Sequence, residues 1–142
     1  MATTIAAAFN QFAAWQRTTP AETDAARRHR SSLYRRLVNE FAVKTFFRTG
    51  SFGAGTNVPK YSDVDYFAAI PELTFNHNSA KVLAIVAANL RQRFSRTNIR
   101  VDSPGISIPF GWDRSEHTEI VPVIEDGATR SGHRQFWIPD GY

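Results

Sequence analysis

Two closely spaced aspartates are the residues whose types and spacing most clearly predict chemistry. Asp63 and Asp65 flank Val64 at the start of a run that stays apolar to Ile70. Side chains two apart in a strand share a face, so both carboxylates point the same way. Two like charges on an apolar strand are costly unless a cation lies between them, and carboxylate oxygens favour Mg²⁺ or Mn²⁺. The pair therefore predicts a divalent metal site.

A turn rich in glycine precedes the aspartates. Residues 41–47 are apolar and aromatic apart from one lysine and a threonine, which predicts a buried strand. Gly50, Gly53 and Gly55 then end the strand and let backbone N–H groups approach an anion. The hydroxyl of Ser51 is suited to a hydrogen bond with a phosphate oxygen. The alternative is that these glycines only form turns, which does not explain two aspartates inside an apolar run.

Three short segments of this region resemble the GS…GT…SDxD signature of the polymerase-β-like nucleotidyltransferases: Gly50-Ser51, Gly55-Thr56 and Ser62-Asp63-Val64-Asp65. Within that superfamily they are most similar to the bacterial cGAS/DncV-like branch, also called CD-NTase or SMODS. The resemblance implies a set of residues that binds a nucleoside triphosphate, such as ATP or GTP: Gly50, Ser51, Thr56 and Ser62. It also implies that Asp63 and Asp65 are catalytic metal ligands.

A third acid, Glu119, precedes Ile-Val-Pro in a strand predicted at Thr118–Ile124. In the CD-NTase branch the third metal ligand is an Asp in a D-[VI]-V-P setting, so the resemblance assigns this role to Glu119, with one methylene more. The implied cofactor is two Mg²⁺ or Mn²⁺ ions held by Asp63, Asp65 and Glu119. The alternative is that Glu119 is a surface charge on an edge strand.

The resemblance implies a metal-dependent enzyme that joins nucleoside triphosphates through phosphodiester bonds, as in cyclic oligonucleotide signalling for antiphage defence. Two alternatives stay open: a non-catalytic nucleotide- or RNA-binding module, and an antitoxin-type transferase acting on a protein or small hydroxyl acceptor. Residues 136–141 resemble the stretch that follows the third acid in the family, whose members usually continue into a helical lobe. We therefore expect the chain to need a C-terminal lobe or a partner protein.

An amphipathic helix is predicted near the N-terminus. Large apolar residues recur there at spacings of four and three, namely Ile5, Phe9, Phe12 and Trp15. This is the period of one helix face, so we expect a helix to about Arg17 whose apolar face packs on the core.

A second, longer helix is predicted to begin at Thr19–Glu22, which has the residue types of a capping box with proline in the first turn. Ala26, Leu33 and Leu37 form its apolar stripe. Arginines occupy much of the remaining surface: Arg27, Arg28, Arg30, Arg35 and Arg36. This basic surface is either a solvated face or a wall that binds phosphates or nucleic acid.

The rest of the chain completes an α+β fold. A helix is predicted at Ser79–Phe94, and two short strands, Ile99–Val101 and Ile106–Phe110, flank a turn at 102–105. We expect a polymerase-β-type nucleotidyltransferase core, an α/β sandwich in which a mixed sheet packs against helices, two of them N-terminal. Residues 1–142 should form one domain.

Composition limits the function classes. The 142 residues include no cysteine and carry a net charge of +4, which suits polyanionic ligands and excludes disulfide or thiolate sites. No apolar run approaches the roughly 20 residues that span a bilayer. We expect a cytoplasmic protein without a membrane partner. The histidines lack metal-ligand spacing and are predicted to be ordinary surface or packing residues: His29, His77, His117 and His133.

Overall fold

The computed structural model describes residues 4–15, 20–55, 63–71, 78–111 and 116–140, and for residues 22 and 52 it describes the backbone alone. The helices are α1 (Ile5–Trp15), α2 (Pro20–Phe41), α3 (Gly50–Ala54) and α4 (Ser79–Arg93). The strands are β1 (Thr45–Thr49), β2 (Val64–Ala69), β3 (Arg100–Asp102), β4 (Gly105–Phe110), β5 (Glu116–Ala128) and β6 (Arg134–Trp137). The proposed N-cap at Thr19 lies outside the described residues.

The strands form one mixed sheet in the order β1-β2-β5-β4-β3, and β6 pairs with the second part of β5. Only β2 and β5 pair in parallel, while the other described pairings are antiparallel. A parallel pair needs a long crossover, and here α4 and the β3–β4 hairpin supply it. The predicted α+β fold, its mixed sheet and the hairpin are confirmed.

Helices α2 and α4 cover one face of the sheet. Leu33 and Leu37 of α2 and Leu90 of α4 are fully buried against alternate residues of the strands, such as Tyr66 and Ile120. The side chain of Asn78 caps α4 by accepting a hydrogen bond from the Lys81 amide at 2.8 Å. Because side chains alternate along a strand, every second residue of β2 and β5 faces these helices.

The apolar stripe of α2 differs from the prediction by one residue at its start. Ala25 is buried, whereas Ala26 is only half-buried. Ala25, Leu33, Leu37 and Phe41 are spaced by eight, four and four residues, which keeps them on one helix face.

The prediction that α1 packs on the core is wrong. None of its residues is buried, and Ile5, Phe9, Phe12 and Trp15 are 56–79% exposed. Its period identified an apolar face correctly, but the described part of the chain does not bury that face.

The strand predicted at 41–47 begins later, at Thr45. Phe41 is the last residue of α2, because it continues the stripe of Leu33 and Leu37, and Ala42 follows with a left-handed φ of 51°. The glycine segment after β1 is also more regular than a turn, since it forms the single-turn helix α3.

The face of the sheet away from α2 and α4 has two parts. Ala69, Val121 and Val123 form a small apolar cluster with Phe67 and Phe136. Asp65 and Glu119 lie further towards the start of the same strands. No helix in the described residues is long and apolar enough to cross a membrane.

Candidate active site

Two of the three expected acids lie side by side. Asp65 of β2 is the register partner of Glu119 of β5. Their neighbours Tyr66 and Ile120 pack under the helices, so both carboxylates are on the opposite face. Because β5 lies between β2 and β4, Glu119 is on an interior strand and is not an edge-strand charge.

Asp63 lies one residue before β2, and its side chain is 49% exposed. Its Oδ1 is 3.2 Å from Nδ1 of His117, which is two residues before Glu119 and therefore on the same face. The structure thus gathers the three acids on one face and adds His117, which the sequence predicted to be an ordinary surface or packing residue. The period-two spacing of His117 and Glu119 was the signal that could have identified it.

Burial and mutual repulsion shift the pKa values of two acids. The pKa of Asp65 is raised, first by burial and then by the charge of Asp63. The pKa of Glu119 is raised by burial and then by Asp65, Asp63 and Asp102. Clustered carboxylates with raised pKa values are the electrostatic signature of a site that a cation would stabilise.

Two glycines make room for these carboxylates. Gly50 directly follows Thr49, the register partner of Asp65, and a Cβ on Gly50 would collide with the Asp65 carboxylate. Gly50 also has a left-handed φ of 61°. A Cβ on Gly105 would collide with the carboxylate of Glu119. A side chain at either position would displace an acid.

The expected phosphate-binding residues are only partly described. Gly50 and Ser51 begin α3, and the side chain of Thr49 does not cap it. Its first backbone N–H groups therefore lack a side-chain acceptor from the N-cap, as at many sites that bind anions. Thr56 and Ser62 lie outside the described residues.

The chemistry of the acids fits a hard divalent cation, since all three donors are carboxylates and two have raised pKa values. As the side chains are oriented, however, the described residues contain no group of three acidic or histidine side chains ready to hold a metal ion. One oxygen of Asp63 faces His117, while the carboxylates of Asp65 and Glu119 lie over different glycines. Side-chain rotation is needed to bring the acids around one ion.

Some arginines on the basic surface of α2 make contacts within the fold. Arg36 is 2.9 Å from Glu40 and hydrogen-bonds Asn89 of α4, and Arg30 donates to the carbonyl of Phe46. Arg28 and Arg35 remain exposed. The helix therefore presents less positive charge to a polyanion than its arginine count predicts.

A cavity of about 610 Å³ lies at the far end of β2 and β5, beside Ile70, Val123 and Trp137. Asp63, Asp65 and Glu119 are not among the residues that line it, so the cavity is separate from the acid cluster.

Comparison with known proteins identifies the fold. No family model and no curated protein sequence matches the chain. Among solved structures, the chain is similar over 91% of its length to the Elizabethkingia meningoseptica CdnE cyclic dinucleotide synthase with GTP and Apcpp, at 22% identity and a TM-score of 0.62. It is similar over 82% to E. coli MS115-1 CdnC with ATP, at 19% identity and a TM-score of 0.60. It is also similar over 78% to the polymerase core of TRAMP, an RNA surveillance complex, at 17% identity and a TM-score of 0.59.

These matches cover 49%, 41% and 34% of the CdnE, CdnC and TRAMP chains. The chain therefore spans half or less of the structures that it resembles. At these identities the likeness establishes the fold, and the predicted resemblance to the polymerase-β-like CD-NTases is confirmed at that level.

Proposed function

We propose that the chain is the catalytic half of a metal-dependent nucleotidyltransferase that joins nucleoside triphosphates into a cyclic di- or oligonucleotide. The observation that carries the proposal is the register match of Asp65 and Glu119 on adjacent parallel strands. Gly50, whose backbone lies beside the Asp65 carboxylate, brings the start of α3 to the same place. A carboxylate cluster next to uncapped N–H groups suits a ligand that combines phosphates with divalent cations.

Each part of the site has a distinct task in this proposal. The N–H groups at Gly50 and Ser51 bind and orient the triphosphate. Asp63, Asp65 and Glu119 hold two Mg²⁺ or Mn²⁺ ions. When bound, the two ions supply positive charge to the attacking and leaving oxygens of an in-line displacement. The protein contributes mainly placement and fixed charge, as expected for phosphoryl transfer.

Metal-dependent pyrophosphate release is the test. We expect the chain, or a longer form that includes a second lobe, to release pyrophosphate from ATP or GTP with Mg²⁺ or Mn²⁺, and Asp65→Asn to abolish this release. Glu125→Gln, on the same strand but outside the cluster, is the matched control and should retain activity. Tight NTP or RNA binding without turnover by any form would instead favour a binding module. Label transfer to a protein would favour the antitoxin-type alternative.

We further propose that a second lobe covers the exposed apolar face of α1. Phe9 and Trp15 on that face are both 70% exposed. Trp137, near the end of the described chain, is 64% exposed. The similar CdnE and CdnC chains extend over about twice the matched length. Exposed apolar side chains that share one helix face often mark an interface.

A further inference from the structure

We propose that His117 is a positioning residue for Asp63, held by the buried hydroxyl of Ser107, and that it orients the Asp63 carboxylate for a metal ion. The inference rests on the proposed function, because it takes Asp63 as a metal ligand.

Asp63 needs a contact from another side chain to restrict the orientation of its carboxylate. The register of β2 with β5 begins at Val64, so Asp63 lies just outside the described ladder. Asp65 has register partners on both sides, in β1 and in β5. A half-exposed aspartate at a strand end has many side-chain orientations, and a ligand in such a place binds metal weakly unless a neighbour restricts it.

His117 is itself restricted. Its Nε2 lies 2.8 Å from Oγ of Ser107. Ser107 is 2% exposed, and as the register partner of Glu119 it lies on the same face of the sheet as the acids. The imidazole therefore lies between a buried hydroxyl and the Asp63 carboxylate.

The chemistry of the three groups sets the direction of the hydrogen bonds. An ionised carboxylate only accepts, so the proton belongs on Nδ1 of His117, which faces Asp63. In the neutral ring Nε2 is then an acceptor, and the Ser107 hydroxyl donates to it. Once the Asp63 carboxylate is in line with Nδ1, the hydrogen bonds run from Ser107 to His117 and from His117 to Asp63.

Nδ1 of His117 is buried and, although 3.2 Å from Asp63, is not aligned for a hydrogen bond with any described residue. A buried donor without an acceptor is costly, so rotation of the Asp63 carboxylate into line is favoured. One Asp63 oxygen then accepts from Nδ1, which leaves the other for a cation.

The same three residue types form the catalytic triad of serine hydrolases. Ser107 is too deeply buried at 2% exposure to reach a substrate. The geometry therefore supports a positioning role and not a nucleophile.

Two substitutions of His117 separate positioning from a structural role. In His117→Asn the amide replaces Nδ1 and still donates to Asp63, whereas His117→Gln replaces Nε2 and loses that donor. We measure Mn²⁺ affinity of the whole chain by electron paramagnetic resonance. We expect His117→Gln to weaken binding by about 10-fold or more, and His117→Asn by a clearly smaller factor.

His29→Gln is the matched control. His29 belongs to α2, lies 2.8 Å from Glu116 and stacks on Phe110, on the face of the sheet opposite the acid cluster. Mn²⁺ affinity should be unchanged in this variant. Equal affinity in wild type, His117→Asn and His117→Gln would overturn the inference, and so would tighter binding by His117→Gln, which would mean that His117 competes with the metal.

A measurement on the wild type does not depend on whether variants fold. Long-range ¹H–¹⁵N NMR should find the His117 proton on Nδ1, and the His117 ring signals should shift when Mg²⁺ is added. A proton on Nε2 of the neutral ring would overturn the inference. If wild type binds no Mn²⁺ and Asp65→Asn changes nothing, the proposed function fails and the inference with it. If Asp65→Asn weakens binding and the His117 variants do not, only the inference fails.

Discussion

At the scale of single residues, two of the clustered acids lower the stability of the fold at neutral pH. Asp65 and Glu119 are partly buried beside each other, and both pKa values are raised. A carboxyl with a raised pKa binds a proton more readily in the folded chain than in the unfolded one. The stability that it contributes is present below its ordinary pKa and is lost as the pH rises through the raised value. At neutral pH without metal, the acids therefore oppose folding.

We expect Glu119→Gln to raise the melting temperature at neutral pH in a chelator by about 2–4 °C. The neutral amide keeps the shape of the side chain and removes the repulsion from Asp65 and Asp63. The gain should shrink near pH 4, where Glu119 becomes protonated in both states. Thermal melts at the two pH values check this. Glu125→Gln, which removes an exposed carboxylate paired with Arg134 at 2.8 Å, should give no gain, and a gain equal to that of Glu119→Gln would contradict the explanation.

Gly50 offers a second test at this scale because Gly55 is its natural control. Both glycines have a left-handed φ, 61° and 71°, but a Cβ would meet Asp65 only at Gly50 and has open space at Gly55. We expect Gly50→Ala and Gly55→Ala each to lose about 1–2 kcal/mol of unfolding free energy from backbone strain. Gly50→Ala alone should weaken Mn²⁺ binding, by roughly 10-fold. Urea denaturation and Mn²⁺ titration measure the two effects, and equal Mn²⁺ affinities would show that Gly50 does not make room for the acid.

At the scale of elements, α1 and α2 differ although both are amphipathic. Leu33 and Leu37 of α2 are fully buried, whereas the large apolar residues of α1 are exposed. The stability of the described fold should therefore depend on the apolar face of α2 and not on that of α1.

We expect Phe9→Gln combined with Phe12→Gln to change the unfolding free energy by about 0.5 kcal/mol or less, as for other surface substitutions. Leu37→Ala should lose about 2–5 kcal/mol, because it leaves a cavity between α2 and the sheet. Urea denaturation of the whole chain compares them. A loss above about 1 kcal/mol for the double variant would mean that α1 packs on the core in solution.

At the scale of the whole molecule, the described residues form no second layer over the face of the sheet that carries the acids. Helices α2 and α4 cover the other face, and the similar CdnE and CdnC chains are about twice as long as the matched part. An open site stays wet, and water weakens the electrostatic stabilisation of phosphoryl transfer.

We therefore expect these 142 residues alone to turn over NTPs slowly and with little selectivity between bases. A longer form with a C-terminal lobe, or a partner that supplies one, should raise turnover on the order of 100-fold through better placement. Incubation with radiolabelled NTPs and Mg²⁺ or Mn²⁺ measures both, with Asp65→Asn as the inactive reference. Rapid conversion to one defined product by the isolated chain would show that no additional lobe is needed.

The sequence by itself determined what depends on neighbouring residues along the chain. The alternation of Asp63, Val64 and Asp65 gave the shared face of the two acids, and residue types at 102–105 gave the β3–β4 turn. These predictions succeed because backbone geometry sets the period of a strand and the conformation of a turn locally. The start of β1 was missed because Phe41 suits a helix stripe and a strand equally well by residue type.

Only the tertiary structure decided which faces meet. The parallel register that puts Asp65 opposite Glu119 joins residues separated by a whole helix and a hairpin. The same register brings His117 to Asp63 and, through β4, Ser107 to His117. The period of α1 marked an apolar face but could not say whether the fold buries it. Contacts between distant segments depend on the packing of the entire sheet against its helices, and no local pattern encodes that packing.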